Sequence, residues 1–250
     1  MMIPALVLAG APNAGRLKEV SPAAFEALID LNGRPLAAHV IEALLATPAV
    51  ERIVVVGPEA LGNAFTSDRI LFLPPREGLL ENLAAGLDAL SAAPRVLVVT
   101  SDIPLLTPEA VLDFLELCKD SQVDVFYPVI PREEVEKTFP GVKRTYVRFR
   151  EGCFTGGNIG LVDPKALGKC LDRAGDFVRL RKKPFRLALV VGPCFLCRFL
   201  LGRLSLRQAE KRVCHLLGLR GRVVVSSSSE IGVDVDKPSD LELVKAVLKN

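Results

Sequence analysis

The sequence predicts an α/β fold built on a mainly parallel sheet. Short apolar segments alternate with amphipathic segments of helical length, the pattern of βαβ units. Most of the apolar segments are hydrophobic at every position, as strands covered on both faces are. The chain has 250 residues, of which 50% are hydrophobic and 24% charged. That is enough apolar material for a sizeable core, and it excludes both a disordered chain and a collagen-like fibre.

The first strand is read at Leu6-Val7-Leu8-Ala9-Gly10. From Pro35 to Ala46 the apolar residues at 36, 40, 41, 44 and 45 have the spacing of an amphipathic helix. Buried strands follow at Arg52–Gly57 and Arg69–Leu73, a helix over Gly78–Leu90, and a strand over Arg95–Thr100. Thr107-Pro108-Glu109 supplies an N-cap followed by proline at the first helical position, opening a helix to about Cys118. Val123–Val129 and Thr145–Phe149 read as strands, and so does Arg222–Ser226. Ser205-Leu206-Arg207-Gln208 reads as a capping box for a helix ending near Gly218, and Ser239-Asp240-Leu241-Glu242 as one for a last helix. One domain over 1–250 is expected, with 165–222 as a basic and apolar helical insertion.

The net charge of +3 is unevenly distributed. Residues 165–222 hold 15 Lys/Arg against 3 Asp/Glu, while the rest hold 17 against 26. Within that stretch Arg179, Arg181, Lys182, Lys183 and Arg186 precede an apolar run that Gly192-Pro193 should break. Such a segment either packs on its own domain, covers the mouth of a site, forms a homodimer face or rests on an anionic membrane surface. Six cysteines without short regular spacing fit a reduced, cytoplasmic protein, and Cys194-Phe195-Leu196-Cys197 reads as buried thiols rather than a zinc site. The opening Met1–Val7 has no basic segment ahead of an apolar one, so no signal peptide is read. No apolar run approaches the roughly 18 residues of a membrane span.

In a parallel sheet, ligands collect at the carboxyl ends of the strands. After Leu8-Ala9-Gly10 comes Ala11-Pro12-Asn13-Ala14-Gly15-Arg16, with Lys18 beyond. Such a loop is either an ordinary strand-to-helix turn or a cradle of backbone N–H groups for a triphosphate, with cations at hand. Asp102 follows the strand Arg95–Thr100, as a turn former or as a ligand to a metal–phosphate complex. In Gly232-Val233-Asp234-Val235-Asp236-Lys237-Pro238, period two points Asp234 and Asp236 the same way. Asp236 is either a helix-end cap or a second ligand, and Asp240 a first-turn helix acid. Phe154-Thr155-Gly156-Gly157-Asn158-Ile159-Gly160 is a strand that is either bulged or closely approached by a ligand. His39 and His215 are read as structural.

Taken together, Leu6–Arg16, Phe25–Leu36, Ile53–Gly57, Asp102-Ile103-Pro104-Leu105-Leu106 and Asp236-Lys237-Pro238-Ser239-Asp240-Leu241-Glu242 resemble the MobA-like NTP transferases in order and spacing. That family includes the molybdopterin guanylyl- and cytidylyltransferases, and the resemblance covers nearly the whole chain except about 165–222. It implies a Rossmann-like, three-layer α/β/α fold of the nucleotide-diphospho-sugar transferase (GT-A) type. It implies that Leu8, Ala9, Gly10 and Gly15 hold NTP phosphates, with Gly78 and Asn82 near the base or ribose. Gly157 and Asn158 fall on the acceptor strand, where Lys143, Arg144 and Arg148 could meet an anionic acceptor. Asp102 and Asp236 would hold Mg²⁺. Two departures stand out: Ala11-Pro12 replaces a glycine after Gly10, and Glu26 stands where the family has a phosphate-facing lysine. Arg16 and Lys18 are the substitute cations.

The expected function is transfer of an NMP group from an NTP to a small anionic acceptor, with no nucleic-acid partner. A catalytically silent NTP-binding module of the same fold and a membrane-surface protein are the alternatives.

Overall fold

The computed structural model describes residues 2–180, 192, 195, 198, 199 and 201–249. Its central sheet forms around β1 (Ile3–Leu8), every residue of which is buried. β1 pairs in parallel with β4 (Val50–Val56) on one side and β6 (Val96–Thr100) on the other, and β5 (Ile70–Leu73) extends the sheet in parallel beyond β4. Beyond β6 the sheet becomes antiparallel through β10 (Ile159–Val162) to β7 (Val125–Pro131). β9 (Gly152–Gly156) lies along the same edge of β7 as β10 and carries β8 (Val147–Phe149), while β11 (Gly221–Val225) runs parallel to the other edge. Asp30–Leu31 and Arg34–Pro35 form a separate two-stranded ribbon, β2 and β3.

Alternation along β1 assigns the two layers of helices. Ala5 and Val7 share one core with α1 (Leu36–Ala46), α3 (Pro108–Leu117), α4 (Arg132–Thr138) and α7 (Pro238–Val247), through Val40, Phe114, Val135 and Leu241. Leu6 and Leu8 share the other with Leu83 and Leu87 of α2 (Leu79–Ala89) and Leu167 of α5 (Pro164–Leu180). Burial of each such side chain contributes about 1.5–3 kcal/mol. α2 lies so close to β1 that a Cβ on Gly86 would meet Leu6 Cδ1 at 2.2 Å. α6 (Leu206–Leu217) packs against β11. No described helix is long and apolar enough to cross a membrane.

The predicted elements are present with shifted ends. The first strand begins at Ile3 and stops at Leu8, so Gly10 already belongs to the loop. The strand read at Val123–Val129 runs from Val125 to Pro131. Thr107 caps α3 by accepting from Ala110 N–H, and the Ser205–Gln208 box closes both ways before Gly218 ends α6 in the left-handed conformation. The box expected at Ser239 does not form. Lys237 is the N-cap without a side-chain bond, Ser239 lies inside the helix, and Asp240 Oδ2 instead accepts from Asp236 N–H. Arg181, Lys182, Lys183 and Arg186, the run from Leu187 to Val191, Pro193 and the Cys194/Cys197 pair lie outside the described residues. The described cysteines, at 118, 153, 170 and 214, are free thiols.

Candidate active site

The carboxyl end of β6 and the approach to α7 meet in one place. Asp102 lies just beyond β6, and its backbone carbonyl accepts from Val235 N–H at 2.8 Å. That bond brings the 232–236 segment alongside. Oxygen atoms of Asp102, Asp234 and Asp236 then fall within 4.8 Å of one another. Asp234 is buried, Asp102 half-buried and Asp236 exposed. Three carboxylates this close repel, and each has a different means of tolerating it.

Asp102 accepts from the Thr100 hydroxyl, which the end of β6 holds in place. Burial raises its pKa above the usual carboxylate value; the Thr100 hydrogen bond opposes the rise and the Asp236 carboxylate adds to it. Asp234 is ion-paired to the buried Arg144 guanidinium, whose Nη1 also donates to the Asp234 carbonyl at 2.9 Å. Asn158 Nδ2 reaches the Asp234 carboxylate at 3.5 Å, and its backbone N–H donates to Ile231 O at 2.8 Å. The Asn158 carbonyl in turn accepts from Thr100 N–H at 3.0 Å, so β6, the acceptor strand and the 231–234 segment are tied together. Sequence reasoning placed Asp234 beside Asp236 but missed its pairing with Arg144, which is close only in the folded chain.

Glu26 belongs to this field. Its carboxyl pKa is raised by burial and by the charges of Asp102 and Asp236, and its Oε1 approaches the Gly15 turn. A fourth acid therefore faces the carboxylates where a cation had been expected. Arg16 supplies one cation. It lines a cavity of about 310 Å³ together with Lys143, Arg144, Lys237 and Asp236. Lys18, on the same 3-10 turn, is exposed and does not line it. Arg148 does not line it either; it lies against Gly202.

The remaining positions support the loops. Leu8 and Ala9 are built into the sheet, Leu8 O accepting from Ser101 N–H and Ala9 N–H donating to Val56 O. Gly10 is required by packing, because a Cβ there would meet the Asn82 side chain at 2.7 Å. Asn82 is buried. Its Nδ2 donates to Arg76 O and Gly78 O, and its Oδ1 accepts from Arg76 N–H. With both amide hydrogens spent, Asn82 braces the loop around Gly78, and only an Oδ1 lone pair is left for a base or ribose. In the first loop, Asn13 and Ala14 have already spent their N–H groups on Ala24 O and Pro12 O. A Cβ on Gly157 would strike Pro128 Cγ at 2.8 Å, so the acceptor-strand glycine serves close backbone packing. His39 contacts Leu31 O.

Clustered acids able to hold a divalent cation, beside a basic cavity at a strand's carboxyl end, suit the handling of a phosphorylated ligand. A solved structure from Thermus thermophilus, described as a hypothetical transferase, is 42% identical with a TM-score of 0.85, over 96% of this chain and all of that one. CMP:2-keto-3-deoxy-manno-octonic acid synthetase, solved with CTP, shares the fold at a TM-score of 0.62 and 14% identity, over 100% of this chain and 99% of that one. The bifunctional protein GlmU of Rhodospirillum rubrum is 34% identical over 118 residues, 45% of this chain and 25% of its own length. The MobA-like NTP transferase domain matches residues 5–214, and the chain belongs to that family.

Proposed function

We propose that the chain transfers a nucleotidyl group from an NTP to a small phosphorylated acceptor. The observation that carries this reading is the union of Asp102 and Asp236 with the Arg16, Lys143 and Lys237 cavity at one strand end. In the reaction an acceptor oxygen attacks the α-phosphorus, the α–β phosphoanhydride bond breaks, and pyrophosphate leaves with the electron pair. No protein nucleophile is needed.

The carboxylate set fits a Mg²⁺ ion, because hard oxygen ligands from one or two acids leave room for substrate oxygens. Asp102 and Asp236 would hold it, Asp234 being engaged by Arg144. When bound, the ion supplies charge neutralisation at the non-bridging phosphate oxygens. Thr100 orients Asp102, and Arg144 with Asn158 fixes Asp234 behind it. Arg16, Lys143 and Lys237 attract and orient an anionic acceptor beside the α-phosphate, and such preorganised charge lowers the barrier where negative charge builds.

A second reading, a silent NTP-binding module, is favoured by Glu26, since a carboxylate facing the other acids opposes a triphosphate. Two measurements separate the readings. Release of pyrophosphate from NTPs, assayed over a panel of sugar phosphates and other phosphorylated acceptors, is expected for wild type and lost in Asp102→Asn. NTP binding without turnover across the panel would favour the silent module. Glu26→Lys is expected to tighten NTP binding by about tenfold in calorimetry, by exchanging repulsion for attraction. Weaker binding would make Glu26 a contributor to the site rather than an obstacle.

A further inference from the structure

A second cavity lies away from the carboxylates. It encloses about 640 Å³ and opens where the parallel strands begin, bounded by Ile3 at the start of β1, by Arg95 just before β6, and by α3 with the turn that follows it. Asp102 lies past the other end of the same β6 strand, so the two sites lie at opposite ends of the strands. The volume is within the range of about 300–1,000 Å³ usual for small-molecule pockets.

Its lining is mixed: four of the residues are charged, and of these only Arg95 has no ion pair among the described residues. Ile3, Leu112, Leu115 and Leu161 supply hydrocarbon, and the Cys118 thiol, pushed up to about 12 by burial, stays uncharged. Lys119 pairs with Glu116 and Asp120 with Arg222. Arg95 is different. Its Nη2 donates to Ser121 O at 3.0 Å and its guanidinium lies 6.0 Å from the Phe126 ring centroid. Its Nη1 is buried with no hydrogen-bond partner among the described residues. Asp120 and Asp124 feel the Arg95 charge, yet each is bonded to another arginine, Arg222 and Arg220. Arg95 as a whole is half-buried and lines the cavity, so its charge is open to a ligand there. The planar fork of arginine is matched by a carboxylate.

We propose that this cavity binds a small amphiphilic carboxylate, its head on Arg95 and its hydrocarbon tail against Leu112, Leu115 and Leu161. Charge complementarity selects the head, and the apolar walls select the tail. The site is separate from the nucleotide site and does not depend on the reaction assigned there.

Octanoate is the probe. Titration followed by amide chemical shifts should perturb residues at 3, 95, 112–121 and 161, with no change at Asp102 or Asp236. Acetate, which lacks the tail, and octanol, which lacks the charge, should each bind at least tenfold more weakly. Arg95→Met should weaken octanoate at least tenfold while leaving octanol unchanged. Should Arg95→Met fail to fold, Leu112→Trp fills the tail space from a half-buried helix position and should abolish octanoate binding. The proposal is overturned if octanoate perturbs other surfaces instead. It is also overturned if octanol binds as tightly as octanoate, or if a folded Arg95→Met or Leu112→Trp protein binds octanoate like wild type.

Discussion

At Asp102 the raised pKa means that the folded state binds the carboxyl proton more tightly than the unfolded chain does. The contribution of Asp102 to stability is therefore greatest below the ordinary carboxylate pKa of about 3.9 and is lost as pH rises through the folded-state value. In the presence of a chelator, Asp102→Asn should melt at a higher temperature than wild type at pH 7. The advantage should vanish near pH 3.5; a constant difference across that window would remove the electrostatic explanation. Arg144 has the opposite sign. It neutralises Asp234 where both side chains are about nine-tenths buried, so Arg144→Met leaves a buried carboxylate without its cation. A loss of about 3–5 kcal/mol is expected in urea denaturation, and a loss below about 1 kcal/mol would show that Asp234 relaxes to water. Asp102 and Asp236 were legible from their places at a strand end and before Pro238. The Arg144–Asp234 pair was not, because nothing local in the sequence links positions so far apart. Asn82 was legible as a polar residue near the first helix turn, but its commitment to Arg76 and Gly78 appears only once the loop is folded.

Among the elements, those with a strong local signal were read correctly. β1 is apolar throughout, β4 is so from Ile53 to Val56 and β6 up to Thr100, and α3 and α6 carry their own caps. α4 was missed because Arg132–Thr138 contains one apolar residue, Val135, and one residue has no period. The break between β9 and β10 at Gly157–Asn158 was similarly obscure, since both strands lie along one edge of β7 and only tertiary pairing separates them. Gly86 shows how closely two elements can be fitted. In most helices Gly→Ala gains stability through backbone entropy, but here the new methyl would enter the Leu6 side chain. Gly86→Ala is expected to lower stability by about 1–3 kcal/mol, read as a lower urea midpoint with unchanged slope. An increase would mean that α2 slides away from β1 at little cost.

For the molecule as a whole, the parallel half of the sheet carries the first loop, Arg16 and Asp102, while the antiparallel half carries Lys143, Arg144 and Asn158. The hydrogen bond from Val235 N–H to Asp102 O joins the beginning of this arrangement to its end. Its consequence concerns time. Contacts between residues distant along the chain carry a larger loop-closure entropy and tend to form late. A refolding molecule can therefore complete β1, β4 and β6 while its carboxylates are still apart, before the site proposed for the nucleotide is assembled. Recovery of nucleotide binding should lag behind recovery of far-ultraviolet ellipticity, making the bound nucleotide a reporter of the last docking step rather than of the sheet.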